Sequence, residues 1–341
     1  MKDIANKSLS MQMNPRLLYK IVALASCCYL IMLTFLFSVH IVLAQEEDDS
    51  PKTTKKPSKT NFNFAAAGDW GCTDDTRNTV DNMVDKKPEL VLALGDFSYE
   101  PTADCWLDII QPIDNTIDNA MKIVIGNHDI EDLQNYMNHF GLTKEYYSFD
   151  FKNVHFIALG TEAEYLDFSN NIAKEQLEFV QSDLEKASTN PDIDWIIPFF
   201  HRLMYYDDQC DNLVDEYDHN LVDVYHPLFE KYGVNLVLHG HAHTYERSYP
   251  LKFNSGDSKQ PIVTDEGSNN YRSEDGLVIA TVGTGGAKFT DTCLIPELAA
   301  VQYANLFGFL NVDVSSDGRT LVGTFYDNAD GQIKDTFTIT K

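Results

Sequence analysis

The sequence predicts a layered α/β domain built on two sheets, and three observations lead there. Short apolar runs bounded by Gly or polar residues recur along the chain, the pattern of buried strands. Between several of them lie stretches with apolar residues at helical spacing. After Leu277 the pattern becomes mostly strand. Strands alternating with helices, then a β-rich end, fit helices packed on sheets.

Taken in order, Phe62–Ala67 is the first strand, followed by the turn Gly68-Asp69-Trp70-Gly71. Thr76–Asp85 sets Val80, Met83 and Val84 at helical spacing. Leu90–Leu94 is a second strand, Trp106–Ile113 an apolar stretch beyond it, and Met121–Ile125 a third strand. Tyr146–Phe151 and Val154–Leu159 form a hairpin around Lys152-Asn153. An amphipathic helix runs through Gln176–Leu184; then come the strand Trp195–Phe200, a helix over Leu221–Tyr232 and the strand Val234–Leu238. The polar stretch Ser248–Arg272 reads as a surface excursion. Leu277–Val282, Phe309–Val314, Thr320–Tyr326 and Asp335–Thr340 close the chain as strands. Gly283–Gly286 is glycine-rich like a phosphate loop, but no helix with Lys-Ser/Thr follows, so it is a strand-to-loop turn.

Ahead of this domain the composition changes. Lys2, Lys7, Arg16 and Lys20 precede an uncharged apolar run from Ile21 to Ala44, long enough to span a bilayer. Residues 1–44 are therefore expected to be a signal peptide or a signal-anchor segment. The basic flank stays cytoplasmic, so the rest is extracytoplasmic, secreted or held by that one span. Residues 45–60 are Lys-, Thr- and Pro-rich and form a polar tether; residues 61–341 form the folded domain. Net charge is −26, with the basic leader making the remainder more acidic still. Such a surface repels nucleic acid.

Two of the six cysteines lie in the apolar run, leaving Cys72, Cys105, Cys210 and Cys293. An even number in an oxidising compartment favours disulfides, and four cysteines allow three pairings. Cys72 and Cys105 follow neighbouring strands, which favours Cys72–Cys105 with Cys210–Cys293. No C-x-x-C spacing supports a four-cysteine zinc site.

Five of the apolar runs end in chemistry. Asp69 follows the first, Asp96 and Tyr99 the second, Asn127-His128-Asp129 the third, His201 the Phe-Phe-His strand, and His241 and His243 the Gly-His-Ala-His unit. In open α/β sheets such positions gather at one edge. Carboxylates, an amide oxygen and imidazoles together suit two neighbouring cations, with Asp96 able to bridge them.

The set G-D-W-G, G-D-F-S-Y, G-N-H-D, F-F-H and G-H-A-H resembles the calcineurin-like metallophosphoesterase superfamily. Within it, Gly71 standing where most members have a histidine, together with Tyr99, is similar to the purple acid phosphatases, as is Thr244-Tyr245-Glu246-Arg247-Ser248. The resemblance implies an α/β/β/α metallophosphoesterase sandwich with two mixed sheets. It implies Fe(III) on Asp69, Asp96, Tyr99 and His243, and Fe(II), Zn(II) or Mn(II) on Asp96, Asn127, His201 and His241. A tyrosinate oxygen is a hard donor that favours the ferric ion. The implied activity is hydrolysis of a small phosphate monoester by a bridging or metal-bound hydroxide. His128 would orient phosphate or protonate the leaving oxygen, and Asp129 would hold its ring. Alternatives are a phosphodiesterase or nucleotide hydrolase of the same superfamily, or a membrane-anchored binding protein with a spent site. Two departures stand out: no β-sandwich domain precedes Asn61, and Cys210 stands where family members carry a further histidine.

Overall fold

The computed structural model describes residues 60–116, 121–267 and 269–341. The predicted span Ile21–Ala44 and the tether up to Lys59 lie outside the described residues. Among the described residues no helix is long and apolar enough to cross a membrane.

Two seven-stranded sheets form the centre. The first has the order β11-β16-β15-β14-β1-β2-β3. Here β1 (Phe62–Ala67), β2 (Leu90–Ala93) and β3 (Met121–Ile123) are mutually parallel. Next to β1, strands β14 (Gly308–Val314), β15 (Thr320–Asp327) and β16 (Ile333–Thr340) pair antiparallel, and β11 (Asn270–Arg272) adds a parallel edge. The second sheet has the order β13-β8-β12-β7-β6-β5-β4. In it β5 (Val154–Ala158), β6 (Trp195–Phe200), β7 (Leu236–His239) and β12 (Val278–Val282) are parallel. On one side β4 (Tyr147–Phe151) pairs antiparallel with β5; on the other β8 (Tyr245–Ser248) pairs antiparallel with β12, and the edge strand β13 (Ala299–Tyr303) antiparallel with β8. A small ribbon pairs β9 (Leu251–Lys252) with β10 (Ile262–Val263).

The period of two explains the layering. Phe156, Ala158, Ile197, Phe199, Leu236, Leu238, Val278 and Ala280 of the second sheet join the core shared with the first sheet. Their neighbours Ile157, Ile196, Phe200, Val237 and Ile279 join a separate core with Val180 and Leu184 of one helix and Phe229 of another. Side chains alternate across a strand, so strands buried on both faces read as continuous apolar runs. That is why the sequence shows runs here rather than alternation.

Helix α1 (Asp74–Lys86) covers the first sheet, with Val80 and Met83 buried. It starts on Thr73, whose hydroxyl accepts the Thr76 amide at 3.1 Å. Short helices α2 (Asp104–Ile109) and α3 (Gln111–Thr116) replace the single stretch Trp106–Ile113. Then come α4 (Leu133–His139), α5 (Ala163–Leu166) and the long α6 (Asn171–Thr189), capped by Asn170. The predicted helix Leu221–Tyr232 begins as a π turn, Leu221–Tyr225, and continues as α7 (His226–Lys231). The layered α/β/β/α expectation is borne out.

The Ser248–Arg272 expectation is corrected in part. It contains β9, β10 and β11, and Tyr271 is fully buried. Strand β8 was missed because its residues, Tyr-Glu-Arg-Ser, are polar. Asp335 accepts from Arg247 Nε at 2.6 Å and from the Tyr245 hydroxyl at 2.7 Å, so the buried polar groups are satisfied.

Candidate metal centre

The site begins with register. The parallel pairing of β1 and β2 continues past both strands: Asp69 N donates to Gly95 O at 3.0 Å and Trp70 N to Asp96 O at 2.9 Å. This ladder places Asp69 beside Asp96. The chain turns sharply there. Asp69, Asp96, Tyr99 and His241 are four of the six non-glycine residues with positive φ among the described residues. Such conformations cost about 1–3 kcal/mol each for ordinary residues, less for Asp, and they concentrate where geometry serves chemistry. Glycines permit the close approach: a Cβ on Gly126 would lie 2.3 Å from Asp96 Oδ1, and one on Gly240 2.7 Å from Asp69 Oδ2.

Each aspartate has one oxygen held by backbone and one free to face the centre. Asp69 Oδ2 accepts the His241 amide at 2.8 Å, and Asp96 Oδ1 accepts the His128 amide at 2.9 Å. Around the free oxygens two donor groups form. In one, Tyr99 Oη lies 3.2 Å from Asp69 Oδ1, 3.1 Å from Asp96 Oδ2 and 2.8 Å from His243 Nε2. In the other, His201 Nε2 lies 3.4 Å from the same Asp96 oxygen, 3.2 Å from Asn127 Oδ1 and 3.0 Å from His241 Nδ1. Asp96–His201–His241 and Asp69–Asp96–His243 each bring their ligand atoms within 4.8 Å of one another. Asp96 is thus shared, through one oxygen rather than two.

Each imidazole, when neutral, presents a lone pair inward because its outer nitrogen is occupied. His201 Nδ1–H donates to the Leu94 carbonyl at 2.8 Å. His241 Nε2–H donates to the Leu213 carbonyl and His243 Nδ1–H to the Lys288 carbonyl. An outer hydrogen bond of this kind sets the tautomer of a metal-ligating histidine.

This donor set fits cations. One phenolic hydrogen cannot satisfy three acceptors, and each group converges acceptors on a common point. The charges agree. Burial, then the Asp69 and Asp96 carboxylates, push the Tyr99 phenol well above its ordinary range, so it ionises only against strong positive charge. Burial pushes Asp69 up to about 6 despite His243 and His201. Burial opposes charge on His201 too, yet Asp96 overrides it and pushes that imidazole up to about 10. Burial and the neighbouring His201 push His241 down.

The structure brings all seven predicted ligands together. His128 is exposed at the edge, its ring centroid 4.5 Å from that of Tyr99. The expected role of Asp129 in holding the His128 ring is corrected. Asp129 is fully buried, and its two oxygens accept the backbone amides of Asp96, Phe97 and Gly126, each at 2.8 Å. It joins the loops after β2 and β3, which presents Asp96 and Asn127 together. Gly71 has φ 77°, and a Cβ there would sit 3.9 Å from Tyr99 Cδ2, so the tyrosine ring flanks the position that lacks a side chain.

The donors open into a cleft of about 330 Å³ that Arg202, Leu213, Val214, Asp215 and Thr290 also line. Sequence reasoning missed these five, which carry no motif; Arg202 had only its adjacency to His201. Its guanidinium is bound to Glu162 at 2.9 Å and Asp215 at 2.7 Å. A larger surface groove of about 740 Å³, near Lys144 and Tyr146, contains none of the donors. Both predicted disulfides are present, Cys72–Cys105 and Cys210–Cys293, with Cα atoms 5.9 and 5.7 Å apart.

Known proteins resemble this chain. Acid phosphatase type 7 of Homo sapiens is 26% identical over 284 residues, 76% of this chain and 61% of that protein. Purple acid phosphatase 23 of Arabidopsis thaliana is 26% identical over 252 residues, 60% of this chain and 52% of its own length. The chain thus spans between half and two thirds of the length of these relatives. Among solved structures, the purple acid phosphatase PPD1 of yellow lupin (Lupinus luteus) superposes with a TM-score of 0.66 at 20% identity, over 82% of this chain and 54% of that one. GAP50, the anchor in the inner membrane complex of Plasmodium, superposes with a TM-score of 0.58 at 14% identity, over 82% of this chain and 89% of its own. The calcineurin-like phosphoesterase model matches residues 62–245, more than half of the sequence, a span that includes Asp69 through His243. The chain belongs to the calcineurin-like phosphoesterase family.

Proposed function

We propose that this protein is an acid phosphatase that hydrolyses small phosphate monoesters at a dinuclear Fe(III)–M(II) centre. The observation that carries this reading is the pair of donor groups sharing Asp96 Oδ2, one of them built around a phenol. Asp69, Asp96, Tyr99 and His243 would hold Fe(III); Asp96, Asn127, His201 and His241 would hold Fe(II), Zn(II) or Mn(II). When bound, such a pair lowers the pKa of water and neutralises charge developing on the phosphoryl oxygens.

The chain's own groups supply the rest. His128 stands at the cleft edge, where its imidazole orients the phosphate or protonates the leaving oxygen. Cys210, at the position where relatives carry a histidine, is bonded to Cys293 and supplies no acid. Arg202 is occupied by Glu162 and Asp215, so it shapes the wall rather than clamping phosphate. Leu213 and Val214 give the leaving group an apolar surface.

The two disulfides and the apolar Ile21–Ala44 run support an extracytoplasmic location, secreted or anchored through residues 1–44, with 45–60 as tether and 61–341 as the catalytic domain.

Metal analysis and an absorption spectrum of the purified protein, with hydrolysis of an aryl monoester and a bis-aryl diester in mild acid, test this reading. The expected result is iron, a visible tyrosinate band and preference for the monoester. A colourless, iron-free, active enzyme overturns the iron assignment. Diester preference favours the phosphodiesterase alternative, and metal-loaded protein without activity favours a spent binding protein.

A further inference from the structure

We propose that the Cys210–Cys293 disulfide positions the metal-site histidines, by locking together two loops that each lend a backbone carbonyl to one histidine in each donor group. The inference rests on the dinuclear reading above. Leu213, three residues beyond Cys210, accepts from His241 Nε2. Lys288, five residues before Cys293, accepts from His243 Nδ1, and Thr290 Oγ1 accepts the His243 amide at 3.0 Å. His241 belongs to one donor group and His243 to the other. One crosslink therefore ties the two carbonyls that orient the imidazoles of both halves.

The loops need such a tie. Apart from a 3-10 turn over Asp208–Leu213 there is no regular structure in either one near the carbonyls. Beyond the disulfide, Asp207 N donates to Cys293 O at 2.7 Å, and Gln209 Nε2 to Thr292 O at 3.3 Å. On the far side, the buried Glu246 carboxylate accepts the amides of Cys293 at 2.6 Å and Leu294 at 2.5 Å. Glu246 lies three residues beyond His243, so it fastens the crosslinked segment to β8, the strand that follows that histidine. Both sulfurs lie in a buried cluster with Leu203 and Ala242, the residue between the two histidines. If the Leu213 or Lys288 carbonyl drifts, the outer nitrogen loses its acceptor, and the ring is free to carry its proton on the nitrogen that faces the centre. His201 provides an internal contrast. Its carbonyl comes from Leu94, at the end of β2, and does not depend on the crosslink.

The test uses the full chain with both cysteines replaced, Cys210→Ser with Cys293→Ser, loaded with zinc so that no redox change at the metal intervenes. Transfer of zinc to a chelator is followed, and the ring tautomers of the metal-free protein are read by ¹⁵N-histidine NMR. Both zinc ions are expected to leave about 10–100-fold faster than from the parent, the usual effect of losing an outer hydrogen bond to a ligand. His241 and His243 should show mixed tautomers while the His201 ring keeps its Nδ1–H bond to the Leu94 carbonyl. Zinc release at the parent rate, or loss of the His201 Nδ1–H bond together with the other two, overturns the proposal. Should that variant fail to fold, Thr290→Val keeps the question open to a decision: it loosens the His243 side alone, so one zinc ion of two should leave faster, and unchanged release overturns the idea. A parent protein that does not bind two zinc ions defeats the dinuclear reading itself, and the tautomers still report on the positioning.

Discussion

The two sheets contribute different chemistry to one centre. Loops of the first sheet supply only oxygens: Asp69, Asp96, Tyr99 and Asn127. Loops of the second supply only nitrogens: His201, His241 and His243. Each donor group draws on both, so bound metals would staple sheet to sheet. The two sides are also held differently. The oxygen side is fixed from within, by the parallel ladder beyond β1 and β2, by Asp129 across three amides, and by positive-φ turns. On the nitrogen side, carbonyls from outside the histidine loops do the orienting, one of them from a 3-10 turn and one from an irregular segment. Under the proposed assignment, the prearranged oxygen face would suit the trivalent ion and the imidazole-rich face the softer divalent one.

The contrast can be broken at its shared atom. Asp96→Asn keeps the shape but removes the charge of the oxygen that both groups use. Loss of at least one metal and a fall in kcat of about a thousandfold, ~4 kcal/mol, is expected from metal analysis and steady-state kinetics. Asp96→Asn protein with both metals and near-normal turnover would show that the bridge is dispensable.

Tyr99→Phe attacks the oxygen side alone. The visible band should vanish and iron content should drop, while the His201–His241 group still takes up a divalent ion. Activity is expected to fall about a hundredfold. Retained colour would mean that Tyr99 is not the chromophore.

Asp129→Asn tests whether the oxygen side is fixed from within. Three amides lose a carboxylate acceptor in a fully buried place, so unfolding in urea should show about 1–3 kcal/mol less stability. An effect on the pH profile of kcat without loss of stability would restore a catalytic role for Asp129.

The smallest effect lies in the second sheet, away from the centre. His155 on β5 bonds Asp150 at 2.6 Å and Asp183 at 2.9 Å. Burial works against its charge, but the two carboxylates outweigh it and hold its pKa above the ordinary 6.5. Burial likewise opposes charge on Asp183, and His155 outweighs it, holding that pKa below 3.8. The contribution of His155 is therefore complete below pH 6.5 and is lost as pH rises through its raised value. That of Asp183 is present above pH 3.8 and is lost below. In His155→Gln the Tm should fall by a few degrees in mild acid and by less at high pH. A uniform Tm loss at every pH would show that packing, not charge, is what His155 contributes.

Much of this was legible in the chain. The apolar runs over 62–67 and 195–200 coincide with β1 and β6, because strands buried on both faces cannot hide their composition. The seven side chains that the structure brings together were legible as candidates because few residue types can hold a cation, and these stood at strand ends. Strand β8 was not, since Glu246 and Arg247 are tolerated inside only through partners distant in sequence, such as Asp335 and the amides of Cys293 and Leu294. Asp129 was misassigned for a related reason: its neighbour in sequence is His128, but its partners are backbone amides, which leave no mark on residue identity.

By itself the sequence determined the candidate donor types, their order, and four cysteines able to pair; that Tyr99 stands in for a histidine at Gly71 came from the family resemblance. The tertiary structure decided which Asp96 oxygen is shared, which nitrogen of each imidazole faces inward, and which loops hold those rings in place. The reason is physical. Side-chain chemistry is encoded residue by residue, whereas register, tautomer and orientation are set by backbone amides and carbonyls that every residue carries alike.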